Sequence, residues 1–359
     1  MQTQSKFRLL VVRLGAMGDI LHALPAVTAL RLAHPGWIIE WVVEPTWSAL
    51  LKATASLGRD TGKEHAMQPV VDRLHFAASK QWRKAPFATT TRSEITALRR
   101  YLKGEHYDAV LDLQGALRSA VISRMAASRR FIGESHPREY AARWLFTERV
   151  DTRASHVIEQ DLELASSIAG DVLTPVQPQL PFDPAAEAWA DERLSLCAGL
   201  PAILINPGAG WGAKRWPVER YADVARALLN RGYCVLINAG PNEVFLADAI
   251  YKKTGGGVVP LLCSVEQLIA ITRRVKLAIA GDTGPLHLAC ALGRPVVGIY
   301  GPTDPSRNGP YGTRFKVLRS PESRRDHTRH EAPEAGLLTI TPEDVLQAAD
   351  ELLYSEAAL

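Results

Sequence analysis

Four clusters of small and polar residues in the 359-residue chain carry side chains suited to chemistry. The first is Gly15-Ala16-Met17-Gly18-Asp19, with His22 one helical turn on. Glycines after a strand let the backbone turn tightly and let a ligand come close. Asp19 then stands at the mouth of a helix, where a carboxylate can either cap backbone N–H groups or accept a proton as a general base. The spacing is not the G-x-G-x-x-G of dinucleotide binding, and the carboxylate would repel a pyrophosphate placed at that helix end. The second cluster, Gly208-Ala-Gly-Trp-Gly-Ala-Lys214-Arg215-Trp216-Pro217, exposes backbone N–H groups and supplies Lys214 as a point charge for phosphate. Its bland alternative is a surface loop with an incidental lysine. The third, Gly240-Pro-Asn-Glu243, sets a carboxylate beyond a strand, able to accept both hydroxyls of a ribose or simply to sit in a first helical turn. The fourth, Gly281-Asp282-Thr283-Gly284-Pro285-Leu286-His287, opens onto a helix N-terminus, a ready anion site. His287, one turn further in, reads as a structural hydrogen bonder more readily than as a catalyst. Thr303, in the turn Gly301–Pro305, faces the same crevice.

The elements that must hold these clusters follow a simple grammar. Arg8–Leu14 is an apolar run, a helical pattern covers about Asp19–Ala33, and Trp37–Val43 and Ala109–Leu113 are further strands. After the proline-rich stretch 171–186 the grammar restarts. Strands are expected at Ala202–Ile205, Tyr233–Asn238, Leu277–Ala280 and Pro295–Tyr300, with helices at Tyr221–Asn230 and Val265–Arg273. Alternating strands and helices predict βαβ units and parallel sheets, and ligands of such sheets bind outside the carboxyl ends of the strands. Two α/β domains are expected, 1–175 and 187–341, joined by a linker at 176–186, with a tail helix in 342–359 that could cross back onto the first domain.

Composition narrows the classes. Apolar residues make up 47% and charged residues 22%, as in ordinary globular proteins. The four cysteines, Cys197, Cys234, Cys263 and Cys290, show no C-x-x-C pair and read as small buried hydrophobes. The N-terminus lacks the long apolar core and cleavage site of a signal peptide. No stretch reaches the roughly 18 apolar residues needed to span a bilayer, so a cytoplasmic protein is expected. Residues 1–170 carry 23 Lys/Arg against 17 Asp/Glu, and residues 171–359 carry 19 against 21. Within the basic half, residues 73–103 hold eight basic side chains and one acid, Glu94. These form either a solvated helix face or a landing surface for phosphates and carboxylates. There is no D-x-D, the usual carboxylate pair for a metal on a nucleotide-sugar, and the histidines are too scattered for a zinc site. Neither half contains G-x-G-x-x-G, which argues against a nicotinamide-dependent oxidoreductase.

Taken together, LGAMGDILHALPAV, PGAGWGAKRWP and GDTGPLHLACALGRPVVGIYGPTDP resemble glycosyltransferase family 9, the bacterial heptosyltransferases, over nearly the whole chain. Within the family, Gln81-Trp82-Arg83-Lys84, YDAVLDLQGALRSA and GESHPREYAARWLF look most like members that add the first heptose to Kdo-lipid A. The resemblance implies a GT-B fold, two Rossmann-like domains facing across a cleft. It also implies inverting transfer from ADP-L-glycero-β-D-manno-heptose to Kdo-lipid A without metal or other cofactor. Asp19 matches the family's general base, Lys214 its diphosphate-binding lysine and Glu243 its ribose-binding carboxylate. Asp282, Thr283, Gly284 and His287 match the donor loop, Asp282 toward sugar hydroxyls, Thr283 and Gly284 toward phosphate. Acceptor contacts are implied at Arg83, Lys84, Gln114 and Arg118. The expected partners are donor, acceptor and, peripherally, the cytoplasmic face of the inner membrane, with no nucleic acid. One departure is that some members carry hydroxyl side chains where this chain has Ala209 and Gly210, so phosphate contacts there would come from backbone amides. A later-acting heptosyltransferase and a non-catalytic ADP-sugar-binding protein are the competing readings.

Overall fold

The computed structural model describes residues 6–51, 69–325 and 331–354. The chain divides between Pro181 and Phe182 into two compact units, a point inside the proline-rich stretch.

The first unit contains β1 (Arg8–Val12), α1 (Met17–Ala33), β2 (Ile38–Val43), β3 (Arg73–Phe76), α2 (Ser79–Lys84) and α3 (Thr89–Gly104). It continues with β4 (Ala109–Asp112), α4 (Leu117–Ser123), β5 (Arg130–Glu134), β6 (Glu148–Val150) and α5 (Val157–Ala169). Its six strands are all parallel, in the order β3-β2-β1-β4-β5-β6. The central strands are buried on both faces, as the apolar runs RLLVV and AVLD require of a sheet covered by helices. Leu10, Val12, Val42, Val110 and Phe131 pack there with Trp82, Leu98 and Leu102 from α2 and α3.

The second unit repeats the plan with α6 (Pro184–Ser195), β7 (Ala202–Asn206), α7 (Val218–Asn230), β8 (Cys234–Asn238), α8 (Val244–Lys253) and β9 (Val259–Leu261). Then come α9 (Val265–Thr272), β10 (Leu277–Gly281), α10 (Gly284–Ala291), β11 (Val296–Tyr300), α11 (Pro305–Asn308), β12 (Phe315–Arg319) and α12 (Pro342–Tyr354). The sheet order is β12-β11-β10-β7-β8-β9, again parallel throughout. Counted from its own first strand, each sheet is wound 3-2-1-4-5-6. The winding direction therefore reverses between β1 and β4 and between β7 and β10, and at such switch points the carboxyl ends of the strands splay open for ligands.

Two expectations are corrected. The tail helix packs on the second unit's own core, with Val345, Ala348, Ala349 and Leu352 among Ile203, Tyr221, Val224 and Val297. It carries its apolar stripe to β10–β12 and α7; residues 355–359 lie outside the described residues. Cys197 and Cys234 are not separate apolar side chains but a disulfide, with Cα atoms 5.3 Å apart. Cys197 lies just past α6 and Cys234 opens β8 beside Ala202, so the fold joins residues 37 apart in sequence. Cys263 and Cys290 remain thiols, each pushed up to about 12 chiefly by burial. Among the described residues no helix is long and apolar enough to cross a membrane.

Candidate functional site

In the first unit the site grows from the loop between β1 and α1. Gly15 has φ +148°, and a Cβ there would lie 2.7 Å from Cδ1 of Trp47, so both the backbone and the close approach require glycine. The turn delivers Asp19 to the third residue of α1. Its Oδ2 accepts the Ala16 N–H at 2.8 Å, and its Oδ1 lies 3.3 Å from Nη2 of the buried Arg13. The side chain is 37% exposed. Asp19 thus caps the helix from inside its first turn, the N-cap position itself being Ala16. Two donors fix the carboxylate while solvent still reaches it, so the capping and proton-accepting roles are compatible.

The loop after β4 lies beside this one, because Gln114 Oε1 accepts the Leu14 N–H at 2.8 Å. Gln114 is buried and spends its carbonyl on positioning that neighbouring loop. Behind it, Asp112 accepts the Gln114 and Gly115 N–H groups, both at 2.9 Å, and the hydroxyls of Ser119 and Ser123. Burial pushes its carboxyl above the usual range against those bonds. Arg118 is exposed in the first turn of α4. Arg83 and Lys84 are exposed at the end of α2, whose Gln81 and Trp82 line a cavity of about 590 Å³ with Arg73, Leu98 and Tyr101. Glu94 is held there by the Trp82 Nε1–H at 2.7 Å. Strands β2 and β1 separate β3 from β4, so the four acceptor candidates fall into two places rather than one.

In the second unit the loops after β7, β8 and β10 are joined by side chains. Lys214 ends the short 3-10 turn Gly212–Lys214 and forms an ion pair with Oδ2 of Asp282, whose Oδ1 lies 3.3 Å from Nε2 of His287. Burial opposes ionisation of Asp282, but the His287 hydrogen bond and the Lys214 ammonium prevail and hold its carboxyl well below the usual range. Lys214, Asp282 and His287 are therefore joined in one cluster. The ammonium also lies 5.1 Å from the centre of the Trp211 ring. Thr283 is the N-cap residue of α10 without capping it: its hydroxyl donates to the Gly281 carbonyl at 3.2 Å. Gly284 is the first residue of that helix.

Glu243 precedes α8 and its side chain makes no cap there. Instead Oε1 accepts the Ala209 N–H at 3.0 Å and lies 3.9 Å from Nη2 of Arg215. A Cβ on Gly208 would fall 2.0 Å from Oε2, so this reach depends on that glycine. The Ala209 amide, expected to face phosphate, is thereby spent on Glu243.

Among the buried polar residues that the sequence does not reveal, Arg13, Asp112, Asn206 and Asn238 stand at or just past the ends of β1, β4, β7 and β8. Asn238 Nδ2 donates to Asn206 Oδ1 at 2.8 Å, while Asn206 Nδ2 and the Thr303 hydroxyl are buried without a partner among the described residues. A buried donor left unmade is costly; Asn206 ends β7 at the switch point, and Thr303 follows β11, two strands away. The visible signal is that ILIN and VLIN each close an apolar strand on asparagine. Among the described residues no group of three His, Cys, Asp or Glu side chains is arranged to hold a metal.

The family model for glycosyltransferase family 9 (heptosyltransferase) matches residues 95–337. Lipopolysaccharide heptosyltransferase 1 of Escherichia coli K12 is 31% identical, over 88% of this chain and 94% of its own. The solved structure of E. coli heptosyltransferase WaaC with ADP superposes with a TM-score of 0.77 at 28% identity, covering 96% of this chain and all of the other. The same enzyme with ADP-2-deoxy-2-fluoro heptose gives 0.73, again at 28% identity, over 96% and 99% of the two chains. With its two doubly wound units the fold is GT-B. The chain belongs to glycosyltransferase family 9 and is a heptosyltransferase of lipopolysaccharide core synthesis.

Proposed function

We propose that the chain transfers heptose from ADP-heptose to a Kdo sugar of lipid A, with inversion and without a metal. The observation that carries this reading is the cluster at the second switch point. Lys214 is paired with Asp282 beside the N-terminus of α10, with the Asn206 Nδ2 group and the Thr303 hydroxyl, both without a partner among the described residues, at the end of β7 and just past β11. An ammonium has three N–H donors, so Lys214 can keep its carboxylate and also meet a diphosphate. The helix dipole adds about half a positive charge. Together they neutralise the charge that develops on a departing ADP, the task a metal would otherwise perform. The E. coli structures with ADP and with an ADP-fluoro-heptose support the donor class.

Glu243 supplies a carboxylate for the ribose, and Asp282 presents its remaining capacity to the sugar, with His287 fixing its rotamer. On the other unit Asp19, held by Arg13 and Ala16, accepts the proton of the acceptor hydroxyl as that oxygen attacks the anomeric carbon opposite ADP. Arg83, Lys84 and Arg118 meet the carboxylates and phosphates of the acceptor, and Gln114 holds the loops in register. The test is mass spectrometry of the products formed from ADP-heptose and Kdo-lipid A, with and without EDTA. One added heptose, formed equally under chelation, is expected. Transfer only to an acceptor already carrying heptose would assign a later step, and activity that needs added magnesium would overturn the metal-free reading.

A further inference from the structure

The segment GESHPREYAARWLF takes no part in the chemistry so far assigned. After β5 it forms the 3-10 turn Tyr140–Leu145, which packs on α4 through a small core of Ala120, Ala142 and Phe146. Its start is tied to the start of α4: the Glu139 N–H donates to the Gly115 carbonyl, and Glu139 Oε2 accepts the Leu117 N–H, both at 2.9 Å. The two elements turn apolar groups to solvent side by side. Leu117 and Val121 are exposed one turn apart on α4, and Tyr140 and Trp144 are 59% and 67% exposed. Guanidinium groups lie against the rings, Arg143 at 4.7 Å from Tyr140 and 5.5 Å from Trp144, and Arg149 at 5.6 Å from Trp144. Residues 117–149 hold seven arginines and three glutamates. Glu148 is paired with Arg130, while Glu139 and Glu134 accept from the Leu117 N–H and the Thr152 hydroxyl, and seven arginines against three glutamates leave the stretch net positive.

We propose that this patch docks the first unit onto an anionic lipid bilayer, with Trp144 and Tyr140 at the headgroup level and Arg138, Arg143 and Arg149 against lipid phosphates. Aromatic side chains with one apolar and one polar aspect settle at that interface, and exposed apolar groups rimmed by cations bind anionic lipid through both terms. The location fits. α4 and the 3-10 turn follow the carboxyl ends of β4 and β5, and the Leu14–Gln114 bond sets that edge beside the Asp19 loop. A lipid-borne acceptor would then be presented at the edge that carries Asp19. The purpose of the surface rests on the acceptor reading above, but its existence is tested without any acceptor.

The experiment is flotation of the full chain with phosphatidylglycerol–phosphatidylcholine vesicles that contain no lipid A, against pure phosphatidylcholine vesicles, at low and high salt. Flotation is expected only with the anionic vesicles and less of it at high salt. Tyr140→Ser with Trp144→Ser should abolish it. Arg143→Gln with Arg149→Gln should weaken it by about fivefold per charge removed. Transfer to a water-soluble, de-acylated Kdo acceptor should be unchanged in both pairs. A parent chain that does not float, or folded variants that float like the parent, overturns the proposal. Should the aromatic pair lose its cooperative thermal unfolding, the arginine pair decides by the same readout. Flotation without heptose transfer would sink the functional reading and leave the docking surface standing.

Discussion

A carboxylate that caps a helix can also take a proton, and Asp19 is placed to do both. Its Oδ2 is engaged by the Ala16 N–H and its Oδ1 by Arg13, so substitution must separate the two jobs. Asp19→Asn keeps an oxygen for Ala16 and gives up the charge. We expect kcat to fall at least about 10²-fold, the lower bound for general base catalysis, with ADP binding intact. The stability loss should stay below about 1 kcal/mol, because the carboxylate is more than a third exposed. Turnover within a few-fold of the parent would make Asp19 only a cap and direct attention to His22. Lys214 has the same double character. Lys214→Ala should raise the donor KM by the loss of a charge-assisted contact, about 1.5 to 3 kcal/mol, and should also strand the buried Asp282 carboxylate. Adding Asp282→Asn should restore thermal stability without restoring donor use; recovery of both would mean Lys214 meets no phosphate. The pH dependence has a definite sign. Because the folded Asp282 carboxyl is held below its unfolded value, its contribution is present above the unfolded pKa and is lost as pH falls toward the folded one. The parent should therefore lose stability on the acid side more steeply than Asp282→Asn.

The elements most legible in the sequence are those whose reason for existing is local. The expected central strands correspond to β1, β2, β4, β7, β8, β10 and β11, which are continuous apolar runs buried on both faces. The strands not foreseen are at or near the sheet edges. β3 reads RLHF, β6 ERV and β12 FKVLR, too short or too polar to stand out, and β9 contains Pro260, tolerated because an edge strand can forgo one donor. The polar groups that build the site hide for a related reason. Asp112, Asn206 and Asn238 close apolar strands, so in sequence they look like the first residues of loops. The disulfide is a pairing of elements that spacing alone does not reveal, since it needs the end of α6 brought beside β8. Closing a loop of that length stabilises by roughly 2 to 4 kcal/mol through the unfolded state. Cys197→Ser with Cys234→Ser, or reduction of the parent, should lower Tm accordingly, while non-reducing mass spectrometry shows alkylation only at Cys263 and Cys290. An unchanged Tm after verified reduction would mean the bond is not structural.

At the scale of the molecule the two units share one topology and differ in charge. Residues 1–181 carry 23 basic and 18 acidic side chains against 19 and 20 in residues 182–359, so identical windings differ in their loops and fields rather than in their folds. The donor cluster in the second unit needs only one cation beside a helix N-terminus. The acceptor proposed above bears several phosphates and carboxylates and calls for an extended positive field, for which the stretch 73–103, with Glu94 tied to Trp82 beside the α2–α3 cavity, is our candidate. Arg83→Gln with Lys84→Gln should therefore raise the acceptor KM several-fold and leave ADP affinity and Tm unchanged, both side chains being exposed. The difference from the parent should shrink as the screening length falls from about 10 Å at 0.1 M salt to about 3 Å at 1 M. Vesicle flotation should be unaffected, because strands β2 and β1 separate β3, which leads into α2, from β4, which leads into α4. Equal losses for donor and acceptor would point to damaged folding. An acceptor KM that ignores both substitution and salt would remove α2 from acceptor binding and leave Arg118, beside the Asp19 loop, as the remaining basic contact.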